Sequence, residues 1–127
     1  MICQDYPFLL EESERILADC SFDFDFKRPK NRMLFGSSSE DDLALLTKLA
    51  YEGLRYRYPR SDREAKARVE KELKVINELG FNAYFLITWD IIRYARSRGY
   101  FHVGRGSGAN SIVAYCVGIT DVNPIEL

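Results

Sequence analysis

The chain has 127 residues, of which 46% are apolar and 29% charged, and its formal net charge is −1. A chain of this length forms about one domain with a real core, and this composition is typical of a globular protein. Because 18 basic residues balance 19 acidic ones, the total charge argues neither for nor against a nucleic-acid partner. Any electrostatic binding must come from local clusters.

The cysteines and the apolar runs exclude two further classes of protein. Cys3, Cys20 and Cys116 are odd in number and lack CxxC spacing, so they indicate free thiols in a reducing compartment rather than a disulfide framework or a zinc site. Asp90 and Arg93 interrupt the longest apolar run, which is too short to span a membrane. We therefore expect a cytoplasmic protein without membrane contact. Its apolar C-terminus suggests a piece of a longer protein.

The first part of the chain predicts a helix, a strand and a loop. Apolar positions predict a short helix over 8–19. Strict alternation in SFDFDF predicts a strand over 21–26, with its phenylalanines buried and its aspartates in water. Basic residues, a proline, a glycine and serines mark 27–39 as a loop, and we place a domain boundary at residue 35.

Two amphipathic helices follow the loop. They are predicted over 39–58 and 61–80, and each opens with a serine and an acidic residue at capping-box spacing. These pairs are Ser39 with Asp42 and Ser61 with Glu64. The predicted core stripes are Leu43, Leu46, Ala50 and Leu54 in the first helix and Val69, Leu73 and Ile76 in the second. Alternating charges over 60–74 indicate a solvated opposite face.

Two apolar helices and a short strand complete the prediction. Residues 82–99 are apolar on most faces, which predicts a central helix that ends at Gly99. YFHV at 100–103 predicts a short strand, and 107–118 predicts a buried helix that ends near Gly118. The predicted fold class is mainly α with a few short strands (α+β).

The segment VGRGSGANS, residues 103–111, carries the clearest functional signal. Gly104, Gly106 and Gly108 can adopt positive φ and let a ligand approach the backbone. Because the loop is predicted to run into a helix, its N–H groups favour an anion. Arg105 adds a charged fork suited to phosphate oxygens, and Ser107 adds a cap or a hydroxyl donor. The loop is therefore a candidate polyphosphate site.

Other interpretations of the loop can be compared with this one. A Walker A loop fails because no lysine is present. The dinucleotide-binding fingerprint is matched by Gly104, Gly106 and Ala109, with Asp121 about where a ribose-binding acid belongs. The strand before it is too short for that fold, but an oxidoreductase segment remains an alternative. A plain turn in a helical interaction module is another.

Several further residues invite a functional interpretation. Arg93, Arg96 and Arg98 cluster beside the loop and are a possible DNA or phosphate contact. His102 is the only histidine, which favours a structural or loop contact over metal binding. The aromatic residues at helical spacing are expected mainly in the core, with lining of the active site kept as an alternative for Tyr84 and Tyr115: Trp89, Tyr84, Tyr94 and Tyr115. Asp23 and Asp25 imitate a two-metal carboxylate pair, but strand alternation accounts for them.

Four motifs within residues 80–127 occur in an order and at a spacing that indicate a known family. They are Gly-Phe-x-x-Tyr-Phe-Leu-Ile over 80–87, Gly-Arg-Gly-Ser-Gly over 104–108, Ser-x-Val-Ala-Tyr over 111–115 and Ile-Thr-Asp-x-x-Pro over 119–124. This stretch resembles the alpha subunit of bacterial DNA polymerase III, the replicative polymerase. The chain departs from the family at His102 and Val103, which replace a Gly-Pro pair, and at Asn110, which replaces a glycine.

The resemblance implies a fold and a set of ligands. Residues 1–35 are expected to end a polymerase-and-histidinol-phosphatase (PHP) domain, and 36–127 to begin a palm domain of polymerase-beta-like nucleotidyltransferase type. The family's loop holds the triphosphate of the incoming dNTP, which implies nucleotide binding by Gly104, Arg105, Gly106, Ser107 and Gly108. The family's Mg²⁺-binding aspartates lie downstream, so no catalytic or metal-binding residue is expected here and the fragment alone is expected to be inactive.

The resemblance also implies partners for the full-length protein. These are template-primer DNA, the sliding clamp and other replisome subunits. A 3′–5′ exonuclease activity is implied as well, through the PHP domain or a partner subunit.

Overall fold

The computed structural model describes residues 6–27, 30–60 and 62–126, and its regular structure there is helical. The helices are α1 (Pro7–Asp19), α2 (Ser39–Arg57), α3 (Arg63–Glu78), α4 (Asn82–Ser97) and α5 (Ile112–Cys116), with a 3₁₀ turn at Ser107–Asn110. The mainly α prediction is confirmed. The described ranges contain no strand, so the strands of the α+β prediction are wrong there. The predictions for Cys3 and Ser61 lie outside these ranges.

Contacts divide the chain into two compact units, Met1–Lys30 and Asn31–Leu127. In the first unit, α1 confirms the helix predicted over 8–19. It begins at Pro7, whose fixed φ suits the first helical position. None of its residues is buried.

The strand predicted over 21–26 is wrong. Phe22 is 84% exposed and Phe26 89% exposed, and Asp25 accepts a hydrogen bond from the Lys27 amide at 2.9 Å as in a turn. A strand is stable only when a neighbour pairs with its backbone groups. No described segment supplies that neighbour, so alternation of side chains alone does not form a sheet.

The core of the second unit lies among α2, α3, α4 and α5. The predicted stripes of α2 and α3 are buried, with the exception of the half-buried Leu43. The buried members of the core are Leu46, Ala50, Leu54, Ala65, Val69, Leu73, Ile76, Leu86, Ile112, Val113 and Cys116. Helical spacing of apolar residues therefore located most of this core correctly.

The start of α2 differs by one residue from the predicted capping box. Ser38, and not Ser39, is the N-cap, and its side chain accepts from the Asp41 amide. Asp42 is 1% exposed and accepts from the Phe35 and Gly36 amides at 2.8 and 2.7 Å. Asp42 thus holds the preceding loop against the helix instead of completing the cap.

Three helices end on a glycine with positive φ. Gly80, Gly99 and Gly118 have φ values of 71°, 72° and 80°, a region that favours glycine. After α3, for example, the Phe81 amide donates to the Ile76 carbonyl oxygen at 2.9 Å, as in a Schellman motif. The three predicted helix ends are confirmed.

α4 is not the central helix that its composition predicts. Only Asn82, Ala83 and Leu86, in its first two turns, are buried. Tyr84 and Tyr94 are 55% and 62% exposed, so placing them in the core was wrong. The apolar face of α4 extends beyond the neighbours that the described residues provide.

The strand predicted at 100–103 is also wrong. The segment has no partner strand among the described residues, and Phe101 and Val103 are 103% and 86% exposed. It leads from Gly99, at the end of α4, into the glycine loop.

Candidate functional site

The glycine loop and the start of α4 enclose a small pocket of about 180 Å³. It is lined by Tyr84, Phe85, Thr88, Gly104, Arg105, Gly108, Ala109, Ala114, Ile119 and Thr120. Among these described lining residues, Arg105 is the one with a charged side chain, and Arg105 is exposed. Drug-sized ligands occupy pockets of about 300–1,000 Å³. This pocket therefore suits a small anionic group rather than a whole nucleotide.

The three glycines of the loop differ in what they require. A β-carbon on Gly104 would lie 2.9 Å from the Thr120 β-carbon, so Gly104 permits close packing. Gly106 has φ 83° and ψ −175°, which is accessible to glycine almost alone. A β-carbon on Gly108 would meet nothing within 4 Å. Among the three glycines, only Gly108 therefore has both an ordinary φ and open space for a side chain. The loop is thus fixed at its first glycine and open at its last.

The middle of the loop presents its backbone to solvent. The N–H groups of residues 105–108 make no backbone hydrogen bond with other described residues, whereas the Ala109 amide donates to the Gly106 carbonyl oxygen at 3.0 Å. Successive free amides in a turn form a concave surface that attracts anions. Residues 105–108 therefore offer backbone donors beside the guanidinium of Arg105, and phosphate binding by the loop stays a prediction.

The N-terminus of α5 is occupied by a carboxylate from α3. Glu72 Oε2 accepts from the Ser111 hydroxyl at 2.7 Å, and the two carboxylate oxygens accept from the Ile112 and Val113 amides at 3.3 Å. The single helix predicted over 107–118 is interrupted at Ser111, which caps α5. The expectation that the loop runs directly into a helix is therefore wrong for α5, because the 3₁₀ turn at Ser107–Asn110 lies between them. The first amides of α5 already bind a carboxylate of the chain itself.

Arg68, one turn before Glu72, holds the same junction from the other side. Its Nη2 donates to the Asn110 carbonyl oxygen at 3.0 Å and its Nη1 to the Pro124 carbonyl oxygen at 2.8 Å. Its Nε lies 3.4 Å from Glu72 Oε1, and the two side chains are 33% and 24% exposed. The solvated face predicted for 60–74 is wrong at these two residues.

The arginines after the middle of α4 do not form one cluster. Arg93 donates to Asp90 Oδ1 at 2.7 Å, and Arg96 Nη2 lies 3.3 Å from His102 Nε2. Because a guanidinium can only donate, His102 accepts in this contact, which agrees with the loop contact expected for it. Arg98 is exposed at the C-cap of α4.

Asp121, the acid of the dinucleotide interpretation, is engaged by two arginines. Arg57 Nη2 donates to Asp121 Oδ1 at 2.8 Å, and Arg96 Nη2 lies 3.7 Å from the same oxygen. The hydrogen bond from Arg57 is the largest cause that lowers the pKa of Asp121. Arg57 also lies 4.4 Å from the centre of the Tyr115 ring. Tyr115 therefore packs beside an ion pair and does not line the pocket.

Two further features of the described residues concern metal ions and membranes. No three His, Cys, Asp or Glu side chains among these residues group closely enough to hold a metal ion. None of the described helices has the length and apolar composition to cross a lipid bilayer.

Sequence comparison shows to which protein family the chain belongs. The family described as bacterial DNA polymerase III alpha NTPase domain matches residues 44–127, which contain the whole loop and pocket. The chain belongs to this family. A DNA polymerase III alpha chain is not an oxidoreductase segment, and Asp121 is bound to Arg57 instead of being free for a ribose. Family membership likewise favours a polymerase over a helical interaction module.

Relatives extend the match to nearly the whole chain. The error-prone DNA polymerase of Hahella chejuensis is 44% identical over 124 residues, which cover 94% of this chain and 12% of that protein. That of Aromatoleum aromaticum is 40% identical over 130 residues, 98% of this chain and 12% of the relative. That of Symbiobacterium thermophilum is 51% identical over 83 residues, 65% of this chain and 8% of the relative. The chain thus spans 12% or less of the length of these relatives.

Proposed function

We propose that this chain is part of a DNA-directed DNA polymerase and that its glycine loop binds the triphosphate of the incoming dNTP. The observation that carries the proposal is the set of free amides at 105–108 beside Arg105, in a pocket whose other described lining residues are uncharged. Free N–H groups and one guanidinium complement phosphate oxygens. The small volume leaves the base and sugar outside, where template pairing would select them.

The loop residues proposed to bind the triphosphate are Gly104, Arg105, Gly106, Ser107 and Gly108. Arg105 and Ser107 would contribute side chains, while Gly106 and Gly108 would contribute backbone amides. Gly104 supports the loop by packing on Thr120. Among the arginines near α4, Arg98 is the best placed for a DNA phosphate because Arg93 and Arg96 already face Asp90 and His102.

The wider activity is proposed for the longer protein alone. Nucleotidyl transfer onto template-primer DNA, with Mg²⁺ held by carboxylates outside this chain, would make the isolated chain inactive. The relatives are named error-prone DNA polymerases, which favours that class over the replicative enzyme expected from the motifs. The proposal also covers domains, partners and location. Residues 1–35 would end a PHP domain, and residues 36–127 would begin a palm domain of polymerase-beta-like type. The longer protein would be cytoplasmic, would bind the sliding clamp and other replisome subunits, and would be associated with exonuclease activity.

A titration followed by backbone amide NMR tests the loop assignment. We expect dATP and pyrophosphate at millimolar concentration, which corresponds to about 4 kcal/mol of binding free energy, to shift the amides of residues 105–108. NAD should bind no more tightly than dATP. Arg105→Ala should weaken the response, while Arg55→Ala, an exposed arginine outside the loop, should not.

Two outcomes would contradict the proposal. Tighter binding of NAD than of dATP would favour the dinucleotide-binding interpretation of the loop. A folded chain in which neither dATP nor pyrophosphate moves the loop amides would leave the loop as a turn.

A further inference from the structure

We propose that Arg68 and Glu72 are positioning residues for the triphosphate-binding loop, an inference that rests on the function proposed above. Together they form what we call the α3 clamp. The clamp fixes the C-terminal end of the loop and engages the first amides of α5, which leaves the loop amides as free donors for the phosphate.

The acidic half of the clamp is bound by three donors from a single turn. The Ser111 hydroxyl and the Ile112 and Val113 amides all donate to Glu72, which lies about 40 residues earlier in the chain. Part-buried amides that lose their acceptor are costly because they have left water. Glu72 therefore fixes where the loop ends and α5 begins.

The basic half of the clamp holds the residue just before that point. Arg68 binds the carbonyl oxygen of Asn110, the last residue of the 3₁₀ turn that contains Ser107 and Gly108. At the other end of the loop, Gly104 packs on Thr120. The loop is thus held at both ends, while its middle amides have no partner among the described residues. Fixed ends limit the conformations of the loop, which helps to preorganise it for binding.

The clamp also determines which amides remain available to an anion. The amides of Ile112 and Val113, at the start of α5, are hydrogen-bond donors that follow the loop directly. Glu72 occupies them, so they are not available to a second acceptor. Among the described residues, the amides of residues 105–108 and the guanidinium of Arg105 remain as donors for an anion at the loop.

Glu72→Gln tests the clamp, since glutamine keeps the length of the side chain but has one acceptor oxygen in place of two. We expect faster hydrogen exchange at the Ile112 and Val113 amides and a dissociation constant for dATP raised about threefold, as for other coupled networks. Arg68→Lys, which loses the fork that reaches Asn110 and Pro124, should raise the constant in the same direction.

Two control variants on α3 separate positioning from general stability. Glu78→Gln removes a carboxylate from an exposed pair with Lys74 at 3.8 Å, and Ile76→Val loosens the core at a residue 8% exposed. Both should keep the wild-type affinity for dATP, although Ile76→Val lowers the melting temperature.

The outcomes distinguish the clamp from the function on which it rests. A wild-type chain whose loop does not respond to dATP overturns the proposed function, and the positioning role with it. If the wild type binds dATP and Glu72→Gln binds it equally well, only the clamp is overturned. Equal losses of dATP affinity in Glu72→Gln and Ile76→Val would also overturn the clamp, because the loss would then follow from lower stability of the chain.

Discussion

Gly53 in α2 lies directly against the backbone of Cys116 in α5. A β-carbon on Gly53 would come within 1.9 Å of the Cys116 carbonyl oxygen and 2.4 Å of the carbonyl carbon. These distances are too short for any side chain, and the obstructing atoms belong to a backbone rather than to a flexible side chain. The close crossing of α2 and α5 therefore requires glycine at this position.

Gly53→Ala is expected to destabilise the chain by more than about 2 kcal/mol, because the steric overlap outweighs the gain of about 1 kcal/mol in helix propensity. Chemical denaturation measures this difference. Gly108→Ala is the matched control, since a β-carbon there meets nothing within 4 Å. An unchanged midpoint for Gly53→Ala would mean that α2 and α5 do not cross this closely.

Gly106 and Gly108 should respond differently to alanine. Gly106→Ala forces a side chain into a conformation with φ 83°, which costs about 1–3 kcal/mol. Gly108→Ala should change stability by no more than about 0.5 kcal/mol but should weaken dATP binding, because its methyl group enters the pocket. Thermal melts and the dATP titration together measure both effects. A stable Gly106→Ala variant with normal binding would contradict the loop conformation.

The ion pair between Arg57 and Asp121 predicts a dependence of stability on pH. Because the pKa of Asp121 is lowered in the folded chain, its stabilising contribution is complete above the ordinary carboxyl pKa of about 3.9 and is lost as the pH falls below it. Asp121→Asn should therefore lose less stability than the wild type on acidification.

Acid denaturation followed by circular dichroism measures this difference, with Asp23→Asn as an exposed control. Because the Asp121 side chain is 64% exposed, added salt should reduce the difference between wild type and variant. Parallel acid titrations of wild type and Asp121→Asn would argue against the ion pair.

The two described cysteines should react at different rates with an alkylating reagent. Burial raises the pKa of Cys116 to about 11 and leaves the residue 7% exposed, whereas Cys20 is exposed. The thiolate is the reactive form, so iodoacetamide should modify Cys20 in the native chain and Cys116 only after unfolding in urea. Peptide mass spectrometry reads both sites. Rapid native alkylation of Cys116 would contradict its place in the core.

Local signals in the sequence located α1 to α4 and the glycines at three helix ends, but neither the start of α5 nor the absence of the predicted strands from the described residues. Gly80, Gly99 and Gly118 end helices because their conformation depends on neighbours along the chain. The segments 21–26 and 100–103 were wrongly predicted as strands because a strand depends on a partner elsewhere.

The contacts that organise the site were missed for a similar reason. Arg68 and Glu72 look like an ordinary surface pair at i, i+4 spacing, while their partners lie 39–56 residues away. Gly53 offered a usable signal, since an isolated glycine inside a helix often marks close packing. The glycine loop was found because its residue types themselves determine which ligand it suits; its binding role stays a prediction.

The uncovered segment at 100–103 has a consequence for handling the isolated chain. Phe101 and Val103 stand in water beside backbone groups without a partner strand among the described residues. Exposed apolar side chains of this kind favour association with another molecule, and in a purified sample the most abundant one is a second copy. Light scattering should therefore grow with protein concentration and storage time, and dilute samples are preferable for every titration above.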